Sequence, residues 1–360
     1  MSSSRWPERH GRWTLVLSLF VLIALALVAG SLAACGNDEG SDGGSTAAPA
    51  KMRIAYQLIP NGDLIVKDQG WLEDALPDTE IEWVKFDSGA NVNTAMIAGS
   101  VDIGLAGSSP VAAGLSDPLN IPYKVPWIFD VIGIAESLVA SKDSGVTDIA
   151  GLEGKKVGTP FGSTAHYSLL AALELAGVDA TKVKIVDLEP PDILAAWQRG
   201  DIDAAYVWNP TLAELRADGT VLATSEELAG QGKLTADLAV VTTAFADKYP
   251  DAMQTWLDMQ TKAVTLYKED PQAASEAVAR QLNITPEEAL AQMKELILLD
   301  ATEQAGADYL GTPDAPGALA ENLMSAAEFL KTQGSVEGVK TLQDYQAGLA
   351  NSFVAKAAGK

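Results

Sequence analysis

The chain has 360 residues, with 48 acidic against 25 basic side chains and a formal charge of −23. That balance excludes nucleic-acid binding through clustered Lys and Arg and argues against loose association with anionic lipid headgroups. One cysteine and two histidines exclude an intramolecular disulfide framework and leave no basis for a multi-cysteine or histidine-based metal centre.

In chain order, Arg5, Arg9 and Arg12 precede an apolar run from Thr14 to Ala29, and Ser31-Leu32-Ala33-Ala34 leads into Cys35. A basic start, an apolar run and small residues before a cut form an export signal over residues 1–35. A single transmembrane anchor competes for the same run, but a span needs about 20 apolar residues. The Leu-Ala-Ala-Cys end resembles the lipobox of bacterial lipoproteins, which implies a lipidated Cys35 and attachment to a bilayer on the extracytoplasmic side. Residues 36–50 are mostly Gly, Ser, Asp and Ala with no large hydrophobe inside the segment. Such a segment cannot offset its ordering entropy and reads as a flexible tether.

About 310 residues remain, enough for two α/β lobes at typical domain sizes. The first elements are a strand from Met52 ending at Gln57, a helix over Leu64 to Leu76, and a strand over Ile81 to Phe86 that ends in Asp87-Ser88-Gly89. An internal repeat follows: Ala98-Gly99-Ser100-Val101-Asp102-Ile103 and Arg199-Gly200-Asp201-Ile202-Asp203-Ala204 share a helix end, a Gly cap and a strand carrying Asp. Each strand runs into a turn closed by proline, Gly107-Ser108-Ser109-Pro110 or Trp208-Asn209-Pro210, the expected stop and start signals. Two lobes whose strand ends face one cleft are the functional reading; two generic αβ units alike by chance are the alternative. After Val241 the pattern turns helical: Pro250 to Lys268, Pro271 to Leu282, Pro286 to Leu299, Ala318 to Gln333 and Leu342 to Ala355.

The stretch Gly158 to Leu170 reads as a strand end, a small turn and a helix opening at Ser163 or Thr164. Unpaired amides and the helix dipole make such a turn a candidate anion site, and an ordinary Ser/Thr N-cap is the plainer alternative. Ligands of open α/β sheets bind beyond the carboxyl ends of the strands. The candidate wall is therefore Gln57, Ser88, Ser108, Ser109, Ser163, Thr164, His166, Tyr167 and Trp208. Two carboxylates interrupt apolar runs, Glu136 in Val131 to Ala140 and Asp237 in Leu234 to Val241. An isolated buried carboxylate is costly unless it meets a cation, so both are candidates for a ligand ammonium, with a local pairing or a surface position as the alternative. The same two runs are candidate crossovers between lobes. Ser163 and His166 lie one helical turn apart, but no orienting carboxylate accompanies them and a nucleophile–base reading is not supported. No Walker-type or dinucleotide-type Gly motif is present, so no cofactor is expected and the chain reads as a binder rather than an enzyme.

These residues resemble the solute-binding proteins of ABC importers for taurine and alkanesulfonates. The resemblance is carried by Ala55-Tyr56-Gln57, by Lys85 to Ala90, by Gly107-Ser108-Ser109-Pro110, by Ser163-Thr164 with His166 to Leu170, and above all by Ala195 to Asp203 with Ala205 to Trp208. It implies a two-lobed periplasmic-binding-protein-like fold of type II, with residues 51–138 and 241–360 in one lobe, 139–240 in the other and two hinge strands between them. It implies a small zwitterionic or anionic ligand, its sulfonate on the hydroxyls of Ser163, Thr164, Ser109 and Ser88, and its ammonium on Glu136 or Asp237 beside an aromatic face from Trp208, Tyr167 or Tyr56. It also implies delivery of the ligand to a membrane permease; for the oligomeric state, a monomer is the simpler reading. A binder of another alkanesulfonate or a nitrate-like anion, and an enzyme resembling thiamine-pyrimidine synthases, are the alternatives.

Overall fold

A computed structural model of the chain describes Ala48–Lys360. The export signal and the lipidation site at Cys35 lie outside the described residues. The strands in chain order are β1 (Lys51–Tyr56), β2 (Glu80–Lys85), β3 (Ile103–Gly107), β4 (Tyr123–Ile132), β5 (Glu136–Ser141), β6 (Lys156–Thr159), β7 (Lys184–Asp187), β8 (Ala204–Trp208), β9 (Gly219–Thr224), β10 (Ala236–Thr242) and β11 (Leu296–Ile297). They form a six-stranded sheet ordered β11-β4-β10-β3-β1-β2 and a five-stranded sheet ordered β7-β6-β8-β5-β9. In each sheet a parallel set (β1, β2, β3; β6, β7, β8) is flanked by antiparallel partners. This is the two-lobed α/β plan.

The repeat is visible in three dimensions. Helix Gly89–Ile97 precedes β3 and helix Pro190–Arg199 precedes β8. The stops at Gly99 and Gly200 adopt φ of +65° and +71°, a left-handed conformation that suits glycine. Asp102 and Asp203 sit one residue before their strands, not in the middle of them. Each carboxylate accepts from the backbone N–H of the neighbouring parallel strand, Arg53 N at 2.9 Å and Lys156 N at 2.8 Å. The two aspartates thus staple strand starts, and they lie at the ends of the sheets away from the cleft.

The chain passes between sheets twice, through Gly133–Ala135 and again just before β10. The first crossover falls inside the apolar run over Val131 to Ala140, which is β4 and β5 separated by a three-residue turn. The lobe boundaries expected at 138/139 and 240/241 shift. Glu136 already pairs with Trp208 in the smaller sheet, and all of β10 pairs with β3 and β4 in the larger one. The tether also ends earlier than residue 50. Pro49 is buried, its carbonyl accepts from Thr79 Oγ1 at 2.7 Å, and the Ala50 carbonyl accepts from Glu80 N at 3.0 Å.

Three expected helices are interrupted. The first breaks at Gly70 (φ 64°) into Gly62–Gln69 and Trp71–Ala75. The one begun by Pro286 stops at Met293, and Leu296–Ile297 instead forms the edge strand β11 on β4. The last divides into Leu342–Ala347 and Asn351–Ala357. Met253, Trp256, Leu257, Met293, Leu296 and Leu298 are buried in the larger lobe's core, as expected of packing residues. Among the described residues no helix is long and apolar enough to cross a membrane.

Candidate ligand-binding cleft

Between the lobes lies a small cavity lined by residues of both. Its wall is built from strand ends and helix starts of both lobes. The larger lobe contributes Gln57, Ile59, Gly89, Gly107, Ile132 and Asp237; the smaller contributes Glu136, Ser163, Thr164, Trp208 and Asn209. No Lys, Arg or His lines it. Any anion held here is held by dipoles and N–H groups, and any cation by carboxylates.

The helix starts supply the first of these. Helices Gly89–Ile97, Ser108–Leu115 and Thr164–Leu175 begin at the wall, through Gly89, Gly107 and Ser163-Thr164. Amides of a helix's first turn lack intrahelical partners and carry the positive end of the dipole. The Ser163 hydroxyl is already committed. It accepts from His166 N at 3.1 Å and donates to Pro160 O at 2.6 Å. Thr164 Oγ1 donates to Glu136 Oε2 at 2.6 Å. The expected hydroxyl donors therefore serve the protein, and backbone amides around Thr164 and Gly89 are what the wall offers an oxyanion.

Glu136 opens β5, is 1% exposed and accepts from Thr164 Oγ1, Ser225 Oγ (2.8 Å) and Ser168 Oγ (3.4 Å). Burial pushes its pKa up to about 7 against these hydroxyls. A carboxylate offers about four lone-pair sites, so three donors leave room for one from the cavity. Asp237, on β10, lines the cavity directly across the β10–β4 ladder from Asp130. Burial first, and the Asp130 and Glu136 charges next, hold its pKa well above the ordinary carboxylate range. Asn209 places a buried Oδ1 without a donor in the same wall, while its Nδ2 donates to Glu295 Oε2 at 2.8 Å. Trp208 packs against the cores of both lobes and lines the cavity. Gln57 does too, with Nε2 anchored on Leu105 O at 3.0 Å.

Five expected wall residues are placed elsewhere. The Ser88 hydroxyl donates to Glu189 Oε1 across the lobes at 3.1 Å, joined there by Asn91 Nδ2 at 2.7 Å. Ser108 Oγ accepts from Ala236 N, fastening the second crossover. Ser109 Oγ donates to the Ser163 carbonyl at 2.9 Å. His166 stacks on Phe161 (4.5 Å, 5° between planes) and its Nδ1 accepts from Gly162 N, so the imidazole does not reach the Ser163 hydroxyl. Burial lowers its pKa. Tyr167 points edge-on at Phe329 in the larger core. In each case a polar residue at a strand or helix end found a partner within the protein. Sequence reasoning missed Asp130 and Asn209. Asp130 interrupts Trp127-Ile128-Phe129 and Val131-Ile132 as Glu136 interrupts its own run, and the same signal would have found it.

Two sheets of mixed strands, linked by two crossovers around a small buried cavity, define the two-lobed periplasmic-binding-protein-like fold. The NMT1/THI5-like family matches residues 61–274. The taurine-binding periplasmic protein of Escherichia coli (strain K12) is 36% identical over 281 residues, which are 76% of this chain and 83% of the relative. Among solved structures, the alkanesulfonate-binding protein SsuA from Xanthomonas axonopodis pv. citri bound to MOPS superposes with a TM-score of 0.69 at 21% identity, covering 84% of this chain and 99% of its own. The desulfurization enzyme DSZB superposes with a TM-score of 0.61 at 16% identity, covering 86% and 99%, so the same fold also houses an enzyme. The chain belongs to the NMT1/THI5-like family.

Proposed function

We propose that the protein captures taurine or a closely related aminosulfonate in the interlobe cavity and delivers it to the permease of an ABC importer. The observation that carries this is the composition of the wall. Two buried carboxyls, Glu136 and Asp237, and the orphan Asn209 Oδ1 form a pole for an ammonium. Three helix N-termini in the same wall form a pole for an oxyanion, with no basic side chain beside them. A small zwitterion satisfies both poles at once, and Trp208 offers the connecting methylenes an apolar face. The taurine-binding relative supports the same ligand class. Its periplasmic location supports an extracytoplasmic site of action, with Cys35 as lipid anchor and the single chain as the working unit.

An alkanesulfonate without an amine is the second reading, favoured by the alkanesulfonate-binding structural relative. Calorimetric titration of the mature chain with taurine, ethanesulfonate and β-alanine separates the two. Taurine binding well ahead of both analogues is the expected result. Equal or tighter binding of ethanesulfonate removes Glu136 and Asp237 from the ligand site.

A further inference from the structure

The Asn209 side chain stands between the ligand cavity and the opposite lobe. It follows β8 in the smaller lobe, is 1% exposed and lines the cavity. Its backbone N–H donates to the Ala135 carbonyl of the first crossover at 3.0 Å, which fixes the residue in place. One end of the side chain is claimed from the larger lobe, where Nδ2 donates to Glu295 Oε2 at 2.8 Å. The other end, Oδ1, is buried with no hydrogen-bond partner among the described residues. A buried acceptor without a donor is costly, and the ammonium of a bound ligand is the donor that is missing.

A side-chain amide is a donor at one end and an acceptor at the other, and only the NH₂ end can face a carboxylate. Glu295 therefore decides which way the Asn209 amide lies. Turned over, the amide would aim its NH₂ group at the ligand and repel an ammonium. Glu295 does not line the cavity, yet it is firmly held. Its two oxygens accept from Arg216 Nη1 at 2.9 and 2.7 Å. Its carbonyl lies against Gly133 of the first crossover, so closely that an added Cβ there would come within 2.6 Å. We propose that Glu295 is a positioning residue: from the opposite lobe it turns the Asn209 oxygen, not the NH₂ group, toward the ligand ammonium. Because Asn209 and Glu295 belong to different lobes, their bond forms only when the cleft is shut. Closure thus completes the ammonium pole. A sulfonate without an amine gains nothing from that step, so the preference for amine-bearing ligands grows as the lobes close.

This inference rests on the ammonium reading, and the test keeps the two apart. The readout is the ratio of taurine to ethanesulfonate affinity by calorimetry, since looser closure alone weakens both ligands alike. Glu295→Ala should lower that ratio about threefold to tenfold, as for one lost hydrogen bond, and should lower it no further in an Asn209→Ala background. Arg216→Ala loosens the same contact between lobes but leaves Glu295 facing Asn209, so it should keep the wild-type ratio. An unchanged ratio in Glu295→Ala, an equal fall in Arg216→Ala, or the same fall with and without Asn209 overturns the orienting role. If the Glu295 variant fails to fold, proton exchange in the wild-type taurine complex decides. The Asn209 side-chain NH₂ protons, held on Glu295, should exchange slowly with solvent by nuclear magnetic resonance, and fast exchange overturns the proposal. Wild-type protein that binds ethanesulfonate as well as taurine overturns the ammonium assignment instead, and the exchange measurement still judges the orientation of Asn209.

Discussion

Replacing Glu136 by Gln separates the two duties of that carboxylate, because it should strengthen the ligand-free fold at high pH while weakening taurine. Glu136 is raised from 4.5 to about 7, which corresponds to about 3 kcal/mol of folding free energy at about 1.36 kcal/mol per pKa unit. For a raised acid, that stabilisation is complete below the unfolded value and is lost as pH climbs through the folded one. At pH 8 the wild type has lost it, and a neutral Gln loses nothing. The amide must turn its NH₂ toward a hydroxyl that now donates to the carboxylate, at a cost of about 1 kcal/mol. Glu136→Gln should therefore be about 2 kcal/mol more stable than wild type at pH 8 and about 1 kcal/mol less stable at pH 4. Taurine should bind more weakly by about 1.5–3 kcal/mol, the range for a hydrogen bond to a charged group. Urea unfolding of ligand-free protein at the two pH values and calorimetry at pH 8 read these quantities. A stability difference that does not change sign between pH 4 and pH 8, or an unchanged taurine affinity, refutes the reasoning.

Two other perturbations address closure. A Cβ added at Gly107 would collide with Thr164 Cγ2 from the other lobe. Gly107 has an ordinary φ of −65°, so Gly107→Ala should fold normally and lose taurine affinity at least about tenfold, since closure forces a side chain out of place; wild-type affinity in calorimetry counts against close apposition at this point. Arg216 of the smaller lobe pairs with Glu295 of the larger at 2.7 Å and also donates to the Ile134 carbonyl within the first crossover. Arg216→Ala should speed taurine release severalfold with little change in association, as expected for a partly exposed pair worth about 1 kcal/mol; stopped-flow Trp fluorescence, to which Trp208 contributes, measures both rates.

Much of the plan was readable because it rests on local rules. The Gly stops at 99 and 200, the prolines that open helices at 250, 271 and 286, and the apolar strand runs each act over a few residues. The carboxylates Glu136 and Asp237 were legible for a physical reason: an ionisable group inside an apolar run must be satisfied by something. The serines were not. Ser88, Ser108, Ser109 and Ser163 all stand at strand or helix ends, where a hydroxyl meets a backbone or a neighbouring acid as readily as a ligand. The partners that claimed them, Glu189, Ala236 N, the Ser163 carbonyl and Pro160 O, come from distant sequence in three of four cases. The break at Leu296 has the same origin: a helical apolar period gave way to pairing with the β4 edge, a tertiary contact that periodicity does not encode.

On the proposed aminosulfonate reading, the overall charge and the cavity wall together give the amine its role. The chain carries −23, and its cavity adds further carboxyls with no basic residue, so a bare sulfonate meets repulsion on approach and again inside. The helix starts that receive it each contribute about half a charge, which is felt only within the first turn. A zwitterion avoids the first penalty because it has no net charge, and turns the second into attraction because its ammonium lands on the acids. Discrimination between taurine and ethanesulfonate therefore does not require a tighter anion pole. On the proposed reading it follows from placing acids where a ligand that brings its own cation is stable.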